Sequence, residues 1–156
     1  MTDTLHLRPF QPSDAPRCCE IVMECIPIMA GLNPAARTFL YSKNTPARLM
    51  EELNSLLAFV CFKDQAIIGL GALDVAKAEI KRVYVDPSQQ QHGAGLALMR
   101  ALEAKGTAQH LKSVLVQSSP NAHTFYERLG YQLIDEGRLV IGEAVFQFLN
   151  MQKVLG

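Results

Sequence analysis

The stretch RVYVDPSQQQHGAGLALMRALEAKG, residues 82–106, constrains the fold of this chain more than any other segment. A β-branched run ends at Asp86-Pro87, polar residues follow, and Gly93-Ala94-Gly95 leads directly into an apolar-periodic helix. A strand that turns through glycine into a helix directs backbone N–H groups and the positive end of the helix dipole toward one point. The stretch therefore predicts an anion-binding loop between a strand and a helix.

Hydrophobic periodicity along the rest of the chain predicts a mixed α/β fold. Strands are expected at residues 4–10, 57–62, 66–73, 78–85, 113–117, 131–135 and 144–154, and helices after Pro12, from Thr45, from Gly95 and from Ser119. The segment around Asn33-Pro34 and residues 136–143 are interpreted as loops. The strands between 57 and 85 are expected to be antiparallel, and the strand–helix–strand step through 80–117 to be a right-handed parallel crossover.

Length and charge narrow the class of protein further. A chain of 156 residues is expected to form one domain, 1–156, and its 15 basic and 15 acidic side chains balance. A neutral chain is not attracted strongly to nucleic acid or to anionic lipid. The N-terminus lacks a signal-peptide pattern and the longest apolar run, 56–62, is too short to span a bilayer, so we expect a cytoplasmic protein with no membrane partner.

The cysteines point to no metal site. Cys18, Cys19, Cys25 and Cys61 form no C-x-x-C pair and no Cys/His cluster with metal-ligand spacing. We interpret them as small buried hydrophobic residues of a protein in a reducing compartment.

The identity of the anion depends on the glycine spacing. The nucleotide-triphosphate motif G-x-x-x-x-G-K-[ST] is absent, and in a dinucleotide fingerprint the third small residue would fall at Leu98. A nicotinamide- or nucleotide-binding redox domain is therefore the weaker alternative. The pair Gly69 and Gly71 lies within a predicted strand, where close packing or a bulge is the expected reason for glycine.

The spacing Gln90-x-x-Gly93-x-Gly95 resembles the pyrophosphate loop of the GNAT superfamily of N-acetyltransferases, [RQ]-x-x-G-x-[GA]. Residues 78–87 resemble the strand that precedes this loop in the family, and 121–131 its later N-x-x-x-x-[YF]-x-x-x-G-[YF] helix. The opening 8–14 and the closing Met151-x-Lys153 also fit, so the resemblance covers most of the chain.

The resemblance implies a three-layer αβα domain with a central, mostly antiparallel sheet and a splayed parallel strand pair. It implies an N-acetyltransferase in which a primary amine attacks acetyl-coenzyme A directly, without a metal. Partners would be acetyl-coenzyme A and an unidentified small-molecule or protein amine; homodimers are common in the family, so a second copy is also considered. The alternative is an acetyl-CoA-binding sensor or interaction module of the same fold without turnover.

The resemblance also assigns site residues. The cofactor contacts are expected from Val83, Tyr84, Val85, Gln90, Gln91, His92, Gly93, Ala94, Gly95, Asn121 and Tyr126. Strict alternation over residues 79–86 leaves neither face of the strand cleanly apolar, and a β-bulge near Arg82–Tyr84 would repair this pattern. The N–H of Val83 or Val85 would then be available to the thioester carbonyl. His92 would touch phosphate or remain a solvated loop residue.

Two residues are assigned to proton transfer by the same resemblance. Glu79 is the candidate base, acting through water, or else an exposed strand glutamate. Tyr126 is the candidate acid for the leaving thiolate, although its place on an apolar helix stripe also fits a core residue. Asn121 would bond the pantetheine arm, or serve as a cap or first-turn residue of its helix.

The acceptor amine is expected between the early helices and the last loop, at residues 26–45 and 136–144. Arg37, Phe39 and Tyr41 could line this region or pack it onto the sheet. The absence of an acidic cluster there disfavours a polyamine or an aminoglycoside.

Overall fold

The computed structural model describes residues 4–156, in which a seven-stranded mixed sheet carries helices on both faces. The strands are β1 (Leu5–Pro9), β2 (Leu57–Lys63), β3 (Ala66–Asp74), β4 (Glu79–Val85), β5 (Ser113–Ser118), β6 (Gln132–Ile141) and β7 (Ala144–Val154). The helices are α1 (Ala15–Cys25), α2 (Pro34–Lys43), α3 (Pro46–Asn54), α4 (Ala94–Ala108) and α5 (His123–Arg128). The first three residues of the expected domain 1–156 lie outside the described part.

The strands lie in the order β1-β2-β3-β4-β5-β7-β6. Among the described strands, β4 and β5 alone pair in parallel, and their register contains the single pair Glu79↔Leu115. The two strands therefore diverge beyond this pair and leave a gap in the middle of the sheet. The expected mostly antiparallel sheet with a splayed parallel pair is confirmed.

Apolar side chains fill a layer on each side of the sheet. On one side α1 and α3 pack Ile21, Val22 and Leu53 against the sheet. On the other side α4 contributes Met99 and Leu102 to a second cluster that also contains Tyr126. The four cysteines are free and buried, as expected of small hydrophobic residues.

A β-bulge on β4 reverses the alternation of its side chains. Leu70 pairs with Tyr84 but Ala72 pairs with Lys81, so two residues of β4 face one residue of β3. The extra residue is Arg82, whose φ of 60° is rare for a residue with a Cβ. The predicted bulge is confirmed.

The reversal explains why polar and apolar residues do not alternate regularly along β4. Before the bulge Ile80 packs on the α4 side, and after it Val83 also packs on that side. Tyr84 instead packs against the cluster formed by α1 and α3. The bulge therefore places apolar residues on the α4 side and directs the polar ones toward α1 and α3.

Two segments expected as loops were assigned wrongly. The segment expected as a loop around Asn33-Pro34 is α2, because the Asn33 side chain caps it and Pro34 occupies its first position. Residues 136–141, also expected in a loop, belong to β6, which reaches β7 through a two-residue turn. Helix α4 includes Gly106, where a Cβ would lie 3.0 Å from Leu155 and 3.6 Å from Val114.

A partly buried ion pair joins β1 to the start of α1. Both terminal nitrogens of Arg8 donate to the Asp14 carboxylate, at 2.7 and 2.8 Å, and the N–H of Gln11 donates to it at 2.8 Å. The hydrogen bonds from Arg8 lower the pKa of Asp14 below its usual 3.8. The Arg-to-Asp opening noted in the sequence is therefore a structural clamp on the first turn.

We expect Asp14→Asn to lower the free energy of unfolding by about 2 kcal/mol at neutral pH, because a charged hydrogen-bond acceptor is lost. A carboxyl whose folded pKa is depressed stabilises the protein above its unfolded pKa, and this contribution disappears as pH falls through the folded value. The difference from wild type should therefore shrink between pH 5 and pH 2 in urea unfolding. Glu24→Gln, an exposed neutralisation on α1, should show no such loss; equal effects of both variants would contradict the clamp.

None of the helices within residues 4–156 has the length and apolar composition that crossing a bilayer requires.

Candidate functional site

The glycine-rich loop lies at the N-terminus of α4. Gln91 and Gly93 have φ of 69° and 88°, and Gly93 is the N-cap residue that precedes α4. The Ala97 N–H donates to the Gly93 carbonyl at 2.9 Å, so the three preceding amides of the helix have no acceptor within it. The left-handed Gly93 followed by the right-handed Ala94 turns successive N–H groups to one side, the geometry of a nest for an anion.

Close packing explains the second glycine of the loop. A Cβ at Gly95 would lie 3.2 Å from the Phe125 ring, tighter than ordinary contact. A Cβ at Gly93 would make only an ordinary contact, 3.8 Å from Leu5, so the positive φ of Gly93 is what requires glycine. The two glycines therefore serve different purposes, one conformational and one steric.

An ionic anchor holds the end of β4 in front of this loop. Asp86 accepts hydrogen bonds from the Ser88 N–H and hydroxyl, at 2.9 and 2.8 Å, and from Arg17 of α1 at 2.7 Å. Arg17 also donates to the Ile67 carbonyl on β3 at 3.2 Å. The anchor fixes the path from strand to loop, and Arg17 was not identified from the sequence because it lies 69 residues from its partner.

A cavity of about 610 Å³ runs from the loop into the gap between β4 and β5. Its volume suits a large organic ligand. The expected residues that line it are Val83, Tyr84, Val85, Gln90, Gln91, Gly93, Ala94, Gly95, Asn121 and Tyr126. Cys25, Ile28 and Met29 line it from the α1 side, so the cavity reaches through the gap to the other face of the sheet.

Two expected site residues lie elsewhere. His92 is exposed in the loop and is not part of the cavity lining. Glu79 pairs with Asp74 and Leu115 at the closed end of the gap, and it also lies outside the lining. Among the described residues the lining contains no carboxylate and no histidine.

The free N–H groups of β4 point into the gap. The Asp86 N–H donates to the Ile68 carbonyl on β3 at 2.8 Å. Because neighbouring residues of a strand direct their N–H groups to opposite sides, the N–H of Val85 points away from β3. The N–H of Val83 has the same orientation by the same alternation, so both face the cavity.

Tyr126 is buried except where it meets the cavity. Its side chain is 9% exposed and its ring contacts Phe125 and Tyr131 edge-on, with centroids 5.0 and 5.7 Å apart. Burial raises the pKa of Tyr126 to about 12, so the hydroxyl stays protonated at neutral pH. The side chain is thus both a core residue and a hydrogen-bond donor at the cavity.

Asn121 connects the cavity to the segment after α1. Its amide donates to the Ile28 carbonyl at 3.0 Å, and its oxygen accepts from the Ala30 N–H at 3.2 Å. Its side chain is therefore not a helix cap, and it holds residues 28–30 at the cavity wall.

Cys25 is the thiol nearest to the gap. Its Sγ donates to the Val85 carbonyl at 3.3 Å, and burial raises its pKa to about 11. A thiol this weakly acidic is almost entirely protonated at neutral pH and is a poor nucleophile.

A second cavity of about 60 Å³ lies on the α1 side of β4 and shares Arg82 and Tyr84 with the large one. The Glu52 carboxylate lines it and forms ion pairs with the Arg82 guanidinium, at 2.8 Å, and with the Lys81 ammonium, at 3.5 Å. Lys43 and Arg48 stand at its rim. The small cavity therefore has a surplus of positive charge.

The three residues that the sequence suggested for the acceptor site make contacts away from the small cavity. Arg37 donates to the carbonyls of Ile26 and Met29, at 3.0 and 3.3 Å, and so ties α2 to the end of α1. Phe39 packs edge-on against Phe146 of β7 at 5.7 Å. Arg37, Phe39 and Tyr41 are not among the residues that line the small cavity.

Comparison with known proteins was made for both sequence and structure. The family model described as acetyltransferase (GNAT) domain matches residues 27–155. No curated protein matches the sequence significantly. Many solved structures match the fold.

A GCN5-related N-acetyltransferase (aminotransferase, class II) from Rhodopseudomonas palustris is 22% identical with a TM-score of 0.87, covering 99% of each chain. A GNAT superfamily phosphinothricin acetyltransferase from Sinorhizobium meliloti, in complex with acetyl-CoA, is 20% identical with a TM-score of 0.77, covering 98% of this chain and 89% of its own. The PaiA N-acetyltransferase from Thermoplasma acidophilum, in complex with coenzyme A, is 16% identical with a TM-score of 0.76, covering 97% of this chain and 99% of its own.

Proposed function

The chain belongs to the GNAT acetyltransferase family, whose members are acyltransferase enzymes, and from this premise we propose that it transfers an acetyl group from acetyl-coenzyme A to a primary amine. The observation that carries the proposal is the continuity of the large cavity. It joins an anion nest at the start of α4 to free strand N–H groups in the sheet gap. A pyrophosphate group suits the first part, and an extended amide-containing arm suits the second.

The loop residues present fit a pyrophosphate ligand. Gly93 and Gly95 let the backbone approach phosphate oxygens, and the first-turn amides of α4 supply donors without a competing acceptor. Gln90 occupies a position where the family often has arginine, so it shapes the loop rather than neutralising charge. His92, exposed beside the nest, remains a predicted phosphate contact.

The strand residues present fit the reacting group. The N–H groups of Val83 and Val85 point into the gap and can donate to the thioester carbonyl as negative charge develops on its oxygen. The amine nitrogen attacks the carbonyl carbon, the carbon–sulfur bond breaks, and the departing sulfur takes the proton of the Tyr126 hydroxyl to leave as a thiol. The proton that the amine loses passes to solvent, which returns one to Tyr126. The buried, protonated Cys25 favours this direct route over an acyl-cysteine intermediate.

Proton removal from the amine is the part that the cavity supports least. A free alkyl amine has a pKa of roughly 10, so it arrives mostly as an ammonium. Glu79 stays the predicted base, acting through water, although it lies at the closed end of the gap. The surplus positive charge around Arg82 would lower the pKa of a bound amine and thereby assist its deprotonation.

We place the acceptor at the small cavity, across the bulge from the thioester. Arg82 and Tyr84 line both cavities, so an amine there is separated from the gap only by the bulged segment. Lys43 and Arg48 at the rim favour an acceptor that carries an anionic group, such as a carboxylate, next to its amine. The partners under this proposal are acetyl-coenzyme A and this amine. The resemblance also implies a second copy of the chain, and we take each copy to be one domain over 1–156.

The test is amine-dependent release of free thiol from acetyl-coenzyme A, measured over pairs of amines that differ only by a carboxylate. We expect release with acid-bearing amines and kcat/KM at least about tenfold lower for their neutral partners, the value of one charge-assisted hydrogen bond. Arg48→Gln should reduce this preference, whereas Arg100→Gln, an exposed site on α4, should not. Equal rates within each pair would contradict the acceptor class while leaving acetyl transfer in place.

The second candidate function is a module that binds acetyl-coenzyme A without turnover. The observation that favours it is the lack of a carboxylate or histidine in the described lining of the large cavity. Stabilisation by coenzyme A in thermal unfolding, with no thiol release for any amine, would support this reading over catalysis.

A further inference from the structure

Lys81 is the one lysine among the described residues that lines the large cavity. It lies on β4 two residues beyond Glu79, whose pairing with Leu115 is the single pair that joins β4 to β5. Lys81 therefore stands where the gap between these strands begins to open. Its side chain ends in a primary amine, the functional group that the proposed reaction acetylates.

The side chain of Lys81 lies on the face of the sheet where we place the acceptor. Its ammonium forms an ion pair at 3.5 Å with the carboxylate of Glu52 on α3, a residue that lines the small cavity. Because side chains of a strand alternate up to the bulge at Arg82, Lys81 also shares its face with Glu79, the predicted base. The amine of Lys81 therefore approaches the gap from the same side as a free acceptor.

The ion pair that holds Lys81 is weak enough to exchange. Its two atoms lie 3.5 Å apart and its side chains are 30% and 26% exposed, and ion pairs of this kind contribute little to stability. Glu52 keeps Arg82 when Lys81 turns away, since the guanidinium donates to it from Nε at 3.0 Å and lies 2.8 Å from it through a terminal nitrogen. The flexible four-carbon stem of lysine lets the amine reach the gap while the strand stays in place.

Two other lysines near this region are placed less favourably. Lys43 stands at the rim of the small cavity, but its ammonium lies over the Phe39 ring, 5.5 Å from the centroid, and it does not line the large cavity. Lys77 is exposed and lines neither cavity. Exposure alone would favour acetylation of Lys77 by acetyl-coenzyme A in solution, whereas proximity to a bound thioester favours Lys81.

We propose that the chain acetylates its own Lys81 when acetyl-coenzyme A is bound without an acceptor. This inference rests on the proposed acetyl transfer and adds an acceptor within the chain. Nζ of Lys81 loses a proton to solvent and attacks the thioester carbonyl carbon. The carbon–sulfur bond breaks, the sulfur takes the Tyr126 proton to leave as a thiol, and the nitrogen gives a second proton to solvent, which reprotonates Tyr126. The product is a neutral amide, so Glu52 loses one of its two cationic partners.

Incubation of the full chain with acetyl-coenzyme A and no added amine tests the proposal. Peptide mass mapping should show acetylation of Lys81 at least about tenfold faster than that of Lys77, because an amine held near the thioester reacts at a raised effective concentration. The rate per chain should not depend on protein concentration, since donor and acceptor share one chain. Tyr126→Phe should slow acetylation of Lys81 and leave that of Lys77 unchanged.

Lys81→Arg is the matched variant, because arginine keeps a positive charge beside Glu52 and has no primary amine. It should lose the acetyl group at this position with no compensating gain at Lys77 or Lys43. Stabilisation of each variant by coenzyme A in thermal unfolding separates a lost acceptor from lost cofactor binding.

The outcomes also separate this inference from the proposed function. Equal rates at Lys81 and Lys77, or a rate at Lys81 that rises with protein concentration, would overturn self-acetylation. Thiol release with free amines, measured in the same preparation, tests acetyl transfer by itself. Release with free amines but an unmodified Lys81 would overturn this inference alone, and coenzyme A binding with neither reaction would overturn both.

Discussion

Gly93→Asp should weaken coenzyme A binding by at least about 100-fold, because the substitution places a carboxylate against the phosphates and imposes left-handed strain on a residue with a Cβ. Gly93 has a φ of 88° and is the N-cap residue of α4, so a negative charge on its side chain would lie close to the first-turn amides that form the anion nest. With coenzyme A present at about 100 times its dissociation constant, the free energy of unfolding of the wild-type protein should rise by about 2.7 kcal/mol. The variant should gain almost none at the same concentration, measured as a shift in thermal unfolding.

Gly93→Asn is the matched control for this prediction. Asparagine has nearly the shape of aspartate, carries no charge and tolerates left-handed backbone better than most residues. It should bind coenzyme A far more tightly than the aspartate variant, which isolates the effect of charge from that of strain. Normal binding by a folded Gly93→Asp protein would show that the phosphates lie elsewhere, and NAD, tested in parallel, should shift neither protein.

Tyr126→Phe should lower kcat by about 100-fold, the lower range for a group that assists proton transfer. The hydroxyl, kept protonated by burial, meets the cavity, and its loss would leave the departing sulfur without this donor. The ring contacts with Phe125 and Tyr131 are retained in the variant, so folding and coenzyme A binding should change little. The rate is read as thiol release with saturating substrates.

Tyr131→Phe provides the comparison. Its hydroxyl donates to Glu103 at 2.8 Å, and the residue is not among those that line the large cavity, so this variant should lose stability and keep its rate. Equal kcat for Tyr126→Phe and wild type would make Tyr126 a core residue alone.

Local patterns predicted most of the architecture. Apolar runs bounded by turn residues predicted β2, β3 and β4, and the glycine spacing predicted the turn into α4. The failure of simple alternation in residues 79–86 predicted the bulge, which the structure places at Arg82. The missed helix α2 had its signal in the sequence, since Asn33 before Pro34 is a cap followed by a first-turn proline.

The strand β6 was harder to predict beyond Asp135. Glycine at 137 and three charged residues between 135 and 138 oppose a strand by local propensity. Pairing along β7 and the Phe148 ring over Gly137 override that preference. An exposed edge strand lacks the one-sided apolar pattern on which sequence-based prediction relies.

The sequence by itself determined the order of the elements apart from α2, the glycine-rich turn into α4 and the identity of the side chains near it, because these follow from local periodicity and glycine spacing. Only the tertiary structure decided which of those side chains share a cavity. It brought Tyr126 and Asn121 to the gap, left Glu79 at its closed end, and tied Arg37 to backbone carbonyls. Such placement depends on where strands diverge and how helices pack across the sheet, and these long-range contacts leave no local signal along the chain.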